Sequence, residues 1–370
     1  MATRTGLELT SRVTKQGELQ LAVTEVQVPA PGPDEVVVEI KAAPISPSDL
    51  ALLLGPLDIS TLKADGATTT ARIPEQRMAH LTARLDQAMK VGNEGAGVVV
   101  EAGANAQALM GKTVSAAAGA MFSQYRVLKL HEATVLPPGI TAEQGASVFV
   151  NPMTVLCFLE TMRREGHTAL VHTAAASNLG QMLIKVCKQD GIGLVNIVRS
   201  ADHVKLLKDL GAEHVLDSTS PTFAADLVEA CAATKATLAF DAIGGGNLAS
   251  QILTAMELAV NRTAKAYSRY GSATHKQVYI YGSLDVRPTT LDRTFGLSWG
   301  VAGWLVLPAL IKLGQETGMK LRDRVLAELT TTFASHYTAT ISLRDAIKPD
   351  VILKYAKRAT GEKYLIDPSR

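Results

Sequence analysis

Between residues 169 and 283 the chain alternates short apolar runs with stretches of helical periodicity, and few folds accommodate that pattern. ALVHT (169–173), LVNIV (194–198), HVLD (214–217), TLAFDAIG (237–244) and VYIYGS (278–283) have the length and apolar content of buried strands, and the segments between them have room for crossover helices. This is the repeat of a doubly wound parallel sheet, so an α/β fold is expected here. Before about residue 138 the texture differs: LQLAVTEVQV, VVVEIKAAPI, GAGVVVEAG and KTVSAAAGAMFSQYRVL are separated by turns such as PAPGPDE, the pattern of an antiparallel, barrel-like domain. After about residue 314 come a helical pattern, a strand-like HYTATISL, a helix and a last strand, EKYLID. At 370 residues the chain exceeds what one hydrophobic core usually serves. Two domains are therefore expected, with changes of texture near residues 140 and 314.

The stretch ALVHTAAASNLGQMLIKV (169–186) reads as strand, tight loop and helix, the order that seats a pyrophosphate, yet Gly180 is its only glycine. The glycines of such loops permit a tight bend, close backbone approach to the ligand and close packing of helix on strand. Ala174, Ala175, Ala176 and Ser177 are small enough for the approach, Asn178 tolerates a left-handed backbone, and Gly180 keeps the packing position. Leu179, Met182, Leu183, Val186 and Cys187 define the buried face of the helix, whose first N–H groups are free to face an anion. A site that binds unphosphorylated ribose places Asp or Glu at the end of the next strand; here Arg199 stands there, which points to a 2′-phosphate and so to NADPH, with Ser200 and His203 beside it.

Other function classes lack support. With 37 basic and 35 acidic side chains and no block of like charge, nothing calls for nucleic acid or an anionic membrane. Cys157, Cys187 and Cys231 are too scattered for a disulfide framework or a cysteine-built zinc site, and with no signal-like apolar run near residue 1 a cytoplasmic location is expected. FGLSWGVAGWLVLPALIKL (295–313) is interrupted by Pro308 and falls short of the ~20 residues a membrane span needs, so it is expected to be a buried or subunit-facing helix. In residues 74–89, Met78, Leu81, Leu85 and Met89 fall on one helical face, expected to cover a core or serve as a lid.

PISPSDL (44–50), GNEGAGVVVEAG (92–103), VFVNPMTVLCFLE (148–160), LVHTAAASNLGQ (170–181), LKDLGAEHVLD (207–217), LAFDAIGGG (238–246) and VYIYGS (278–283) come in the order and approximate spacing of the medium-chain dehydrogenase/reductase superfamily. The chain most resembles its zinc-free quinone oxidoreductase and 2-enoyl thioester reductase branches, VNPMT and ASNLGQ looking most like the latter. The resemblance implies a GroES-like β-barrel catalytic domain, completed by the C-terminal segment, around a Rossmann NADPH-binding domain. It further implies a cofactor lying along Ala175, Ala176, Ser177, Asn178, Leu179 and Gly180, with Asn151 and Thr154 near its nicotinamide half and Ile243, Gly244, Tyr281, Gly282 and Ser283 beside it.

Zinc-dependent members carry a histidine where this chain has Asn93, a cysteine in the turn that here reads PISPSD, and a four-cysteine lobe that is missing. An amide is a poor zinc ligand, so no metal is expected. Hydride transfer to an already electrophilic small molecule, a quinone or activated enone, then remains. Both zinc-free branches commonly carry a tyrosine about where Leu57 stands, so no catalytic acid is assigned. Tyr125, Tyr281 and Ser283 are the nearest substitutes, and a quinone can take its protons from water. The loss weighs more against 2-enoyl thioester reduction, which needs a placed proton donor, and it leaves open an NADPH-binding protein without turnover. Two insertions, residues 57–91 and 260–276, have no assigned role; the second, basic one is expected to be solvated or to touch a neighbouring subunit. A homodimer is expected, built on VYIYGSLDV as the sheet edge and on the helix 295–313 with Trp299, Trp304, Leu305 and Leu307.

Overall fold

Six strands pair into one parallel sheet in the spatial order His214–Asp217, Gly193–Val198, Ala169–His172, Leu238–Asp241, Lys276–Ile280, Trp299–Gly303. The first of them in the chain lies at the centre, and later strands add outward on one side and then on the other. Helices Asn178–Asp190, Ala201–Asp209, Phe223–Thr234 and Leu248–Asn261 make the crossovers. The order reverses between Ala169–His172 and Leu238–Asp241, the place where an open parallel sheet offers a crevice beyond its strand ends. Val171, Val195, Ile197, Ala239 and Val278 project into a core shared with Phe223, Leu227, Ile252 and Met256, which is why these strands read as unbroken apolar runs.

The structure, a computed structural model that describes residues 4–370, holds this sheet in a unit spanning Asn151–Arg324. Residues up to Val150 and from Val325 onward form the other unit. There Glu35–Ile45 is the central strand, antiparallel to Gly95–Ala102, to Tyr125–Lys129 and, at its end, to Tyr364–Ile366, so the C-terminal segment completes the sheet. A second antiparallel sheet is built on Arg4–Val13 and Glu18–Val28. Leu9, Leu21, Val38, Ile40, Phe122 and Ile366 from both sheets share one core.

Three expectations change. Residues 74–89 are not one helix: Glu75–Met78 passes into 3-10 turns at Ala79–Arg84, and Ala88–Lys90 joins the sheet beside Arg4–Val13. Asp86, at φ 58° and tied to Arg12 and Lys15, turns the chain there, while Met78, Leu81 and Leu85 pack on the core as a cover. Residues 295–313 are not one helix either. Trp299–Gly303 extends the parallel sheet, and only Val306–Leu313 is helical. Gly300 lies against the Gln277 side chain, where a Cβ would come within 2.4 Å of its amide oxygen, a fit that strand pairing requires and helical periodicity could not reveal. Lys276–Ile280 is consequently an interior strand, and the edge belongs to Trp299–Gly303.

The insertion before Lys276–Ile280 is exposed at its tip, where Tyr267 is 94% accessible, but anchored at its base. Lys276 Nζ lies 2.6 Å from Glu257 Oε2, both side chains being almost fully buried, and the same carboxylate accepts hydrogen bonds from the Ser272 amide and hydroxyl and from Asn261. Burial pushes the Glu257 carboxyl up, but the bonds from Lys276, Ser272 and Asn261 outweigh it and hold it near about 2. Its contribution to stability is therefore full above pH 4.5, the ordinary value, and is lost as pH falls through about 2. Lys276→Met should cost about 3–5 kcal/mol by leaving a buried carboxylate without its cation. Urea denaturation at pH 7 checks this, and an unchanged midpoint would remove the ion pair from the account.

Candidate functional site

The loop 173–177 sits across the carboxyl ends of three strands. The Thr173 amide donates to the Phe240 carbonyl and the Ala175 amide to the Ile197 carbonyl, which pins the loop to both neighbours of Ala169–His172. Ala174 takes the left-handed conformation at φ 50°, the bend that glycine usually makes, whereas Asn178, assigned that tolerance from sequence, is the first helical residue instead. Ser177 caps the helix, its hydroxyl accepting the Gly180 amide at 3.2 Å. Gly180 is the packing residue: a Cβ there would lie 2.1 Å from the Ala175 carbonyl oxygen. Ala175 and Ala176 are buried, and Ala174, Ser177 and Asn178 are the half-buried residues of the bend.

Asp241, 1% exposed, knits this loop to the next two. Its Oδ1 accepts the Thr173 hydroxyl at 2.7 Å and the Ile243 amide at 2.9 Å, and Oδ2 accepts the Gly244 amide at 3.1 Å. Thr173 Oγ1 in turn accepts the Ala242 amide. Gly282 closes the rim, since a Cβ there would come within 2.6 Å of the Ala242 carbonyl oxygen. A cavity of about 450 Å³ adjoins it, lined by Ile280, Tyr281, Gly282, Ser283, Gly303, Trp304, Leu305 and Pro308.

Beneath the rim, His172 Nε2 and the Tyr281 hydroxyl are hydrogen-bonded at 2.8 Å. Burial pushes the His172 imidazolium down to about 3, so the ring is neutral, and burial raises the Tyr281 phenol well above its ordinary value. Phe158 stacks on Phe240 at 3.7 Å and meets Tyr281 edge-on, tying the helix Val150–Arg164, which carries half-buried Asn151 and buried Thr154, to these strands. Arg199 follows Gly193–Val198 directly; it is exposed and makes no ion pair among the described residues. Ser200 caps the next helix by accepting the His203 amide at 3.3 Å.

Residues 175–180, Ile243, Gly244, Tyr281, Gly282 and Ser283 thus gather at one end of the sheet, with Arg199, Ser200 and His203 at the end of the adjacent strand. Thr173, Asp241 and His172 were missed, although an aspartate closing the apolar run LAFD was a readable signal. Helix-start amides over a strand end, with a guanidinium one strand away, suit a ligand bearing two anionic groups. In the other unit Asn93 Nδ2 donates to Ser48 Oγ at 3.0 Å, and an amide beside a hydroxyl is not a zinc-binding pair. Among the described residues no group of three His, Cys, Asp or Glu side chains could hold a metal ion. Tyr125 lies under the Arg4 guanidinium at 4.7 Å.

Residues 179–259 match a family model described as zinc-binding dehydrogenase. A mitochondrial enoyl-[acyl-carrier-protein] reductase of Xenopus tropicalis is 31% identical over 55% of this chain and 54% of its own length. A quinone oxidoreductase of Pseudomonas aeruginosa is 30% identical over 42% of this chain and 49% of its own. The chain thus spans about half the length of these relatives. The solved structure of a protein assigned as an NADPH:quinone reductase of Mesorhizobium loti superposes with a TM-score of 0.74 at 26% identity, covering 100% of both chains. These matches support a place in the medium-chain dehydrogenase/reductase superfamily. Within it the relatives fall in the quinone and enoyl reductase branch. The matched segment runs from the helix behind the loop to Leu248–Asn261, so Ser48 and Asn93 lie outside the zinc-binding dehydrogenase match.

Gly180 is the position on which the loop geometry is most sensitive. Gly180→Ala should destabilise the protein by about 1–3 kcal/mol, because the new Cβ must displace the Ala175 carbonyl. Urea denaturation measures it, and an alanine variant as stable as the parent would show that helix and loop are not in that contact.

Proposed function

We propose that this protein is an NADPH-dependent, zinc-independent oxidoreductase that reduces a quinone or activated enone, a small electrophilic molecule. The observation that carries the reading is Arg199, an unpaired guanidinium at the end of the strand beside a capped, anion-ready helix start. A dinucleotide fits the residues present: the loop is built of small side chains, and the Gly180 contact holds it close against the helix start. The amides of 176–179 would hold the pyrophosphate, Arg199 with Ser200 and His203 the 2′-phosphate, and Asn151, Thr154, Ile243, Gly244, Tyr281, Gly282 and Ser283 the nicotinamide half. When bound, the nicotinamide supplies a hydride. Asp241 holds three of the loops that contact it, and neutral His172 keeps the Tyr281 ring in place without adding a charge beneath the site. A quinone reduced in this way takes its protons from water.

Reduction of a 2-enoyl thioester is the second reading, favoured by VNPMT and ASNLGQ and by the enoyl reductase relatives. NADPH oxidation against a panel of quinones and enoyl thioesters separates the two, and no acceleration by any acceptor would leave a nucleotide-binding protein without turnover. Arg199→Asp should weaken NADPH binding about tenfold to a hundredfold, the loss of a charged hydrogen bond, while sparing NADH. Fluorescence titration reads both; a parent protein with equal affinities for NADPH and NADH would overturn the assignment.

Three free, buried cysteines accord with a reducing, cytoplasmic location. A homodimer with two-fold symmetry belongs to the same proposal. Trp299–Gly303 leaves one edge of the parallel sheet open, and Leu305, Leu307 and Ile311 beside it are 67%, 60% and 81% exposed. An open apolar edge is the kind that natural proteins cover. Ile311→Glu should shift sedimentation from a dimer toward a 39.2 kDa monomer, and a monomeric parent at micromolar concentration would end the proposal.

A further inference from the structure

Glu94 is 1% exposed, yet its carboxylate stands in no catalytic arrangement described above. Its Oε2 accepts the backbone amides of Phe149 and Val150, each at 2.9 Å. These are the last residue before the helix Val150–Arg164 and its first, so a buried anion occupies the place of an N-terminal cap on a 15-residue helix. The charge has a counterpart. Lys363 Nζ donates to Ser147 Oγ at 2.8 Å and to Ser335 Oγ at 3.4 Å, and it lies over the Tyr337 ring, whose hydroxyl shares a hydrogen bond with Ser147. Ser147 itself is two residues before Phe149, so Lys363 and Glu94 grip the same short segment from two elements.

The strand after Lys363, Tyr364–Ile366, is fixed against Glu35–Ile45, and Glu94 follows Asn93, whose amide is held by buried Asp49. Both grips are therefore rigidly mounted. Burial raises the Glu94 carboxyl, offset by Lys363 and the two amides; burial lowers the Lys363 ammonium to about 8, offset by Glu94 and Asp49. Glu94 and Asp49 both favour the charged form of Lys363.

We propose that Glu94 and Lys363 are positioning residues for the first turn of the helix Val150–Arg164, and that through Asn151 and Thr154 they set the affinity for the nicotinamide nucleotide. This rests on the function proposed above. Loss of the Glu94 charge weakens the acceptor of the Phe149 and Val150 amides, and loss of the Lys363 ammonium removes the donor to Ser147 Oγ, two residues before Phe149; either change loosens the entry to the first turn, and Asn151 is the next residue along.

Glu94→Gln, Lys363→Met and Lys363→Arg form the test, read by amide hydrogen exchange at Phe149 and Val150 and by the NADPH dissociation constant from fluorescence titration well below the melting temperature. Glu94→Gln and Lys363→Met should each speed exchange at the two amides about tenfold and weaken NADPH about fivefold to tenfold, the scale of one charge-assisted hydrogen bond. Lys363→Arg should restore both. Should Glu94→Gln fail to fold, the two Lys363 variants carry the comparison. A purely structural role would lower the melting temperature and leave the dissociation constant unchanged, which overturns the proposal, as does unchanged exchange at Phe149 and Val150. A parent protein that binds neither NADPH nor NADH overturns the function reading instead, and the exchange of the two amides still decides whether Glu94 holds the helix.

Discussion

The approach of one helix to one loop organises the carboxyl edge of the parallel sheet. Helix Asn178–Asp190 lies so close to the loop 173–177 that no side chain fits at position 180, where a Cβ would fall 2.1 Å from the Ala175 carbonyl oxygen. That contact requires small residues through the loop and sets the direction of the helix start. Ala174 accepts a left-handed conformation, at a cost that glycine would avoid. The hydrogen bonds of Thr173, Ser177 and Asp241 hold it there. A glycine-poor loop of this kind is a network solution to a problem that flexible backbone solves elsewhere.

Buried charge appears in two places, and in both it fixes a chain segment that apolar packing would hold only loosely. Lys276 and Glu257 close the base of an insertion whose tip is fully exposed. Glu94 and Lys363 grip the segment leading into the helix Val150–Arg164. Burying ions is costly, and an apolar pair of the same volume would often be as stable. What the ions add is direction: a carboxylate that accepts two backbone amides sets a helix start to within a fraction of an ångström, which a methyl contact cannot do.

The chemistry left to this chain follows from its donors. Where zinc-dependent relatives would need three N, S or O ligands, Asn93 and Ser48 bond to each other. His172 is neutral and engaged with Tyr281, and Tyr125 is covered by Arg4. Charged groups near the strand ends are spent on holding loops, as Asp241 is, with Arg199 as the exception. On the function proposed above, such a site would orient its ligand and suit acceptors that need little help beyond placement.

The sequence by itself determined the parallel sheet, the antiparallel strands of the first unit, and the order of loop, helix and arginine, because each is encoded in local periodicity and in residues close together in the chain. Only the tertiary structure decided the rest. Residues 295–313 read as a helix by apolar content, yet Trp299–Gly303 became the edge strand because Lys276–Ile280 offered a free edge and Gly300 could lie against Gln277. Residues 74–89 satisfied a helical period, yet Asp86, Arg12 and Lys15 turned the chain into the sheet. His172, Glu94 and Lys363 could not be found by spacing, since their partners lie tens to hundreds of residues away. A hydrogen bond between Thr173 and Asp241, or a lysine at 363 facing an acid at 94, exists only after the chain has folded, because burial is what makes an unpaired polar group too costly to leave alone.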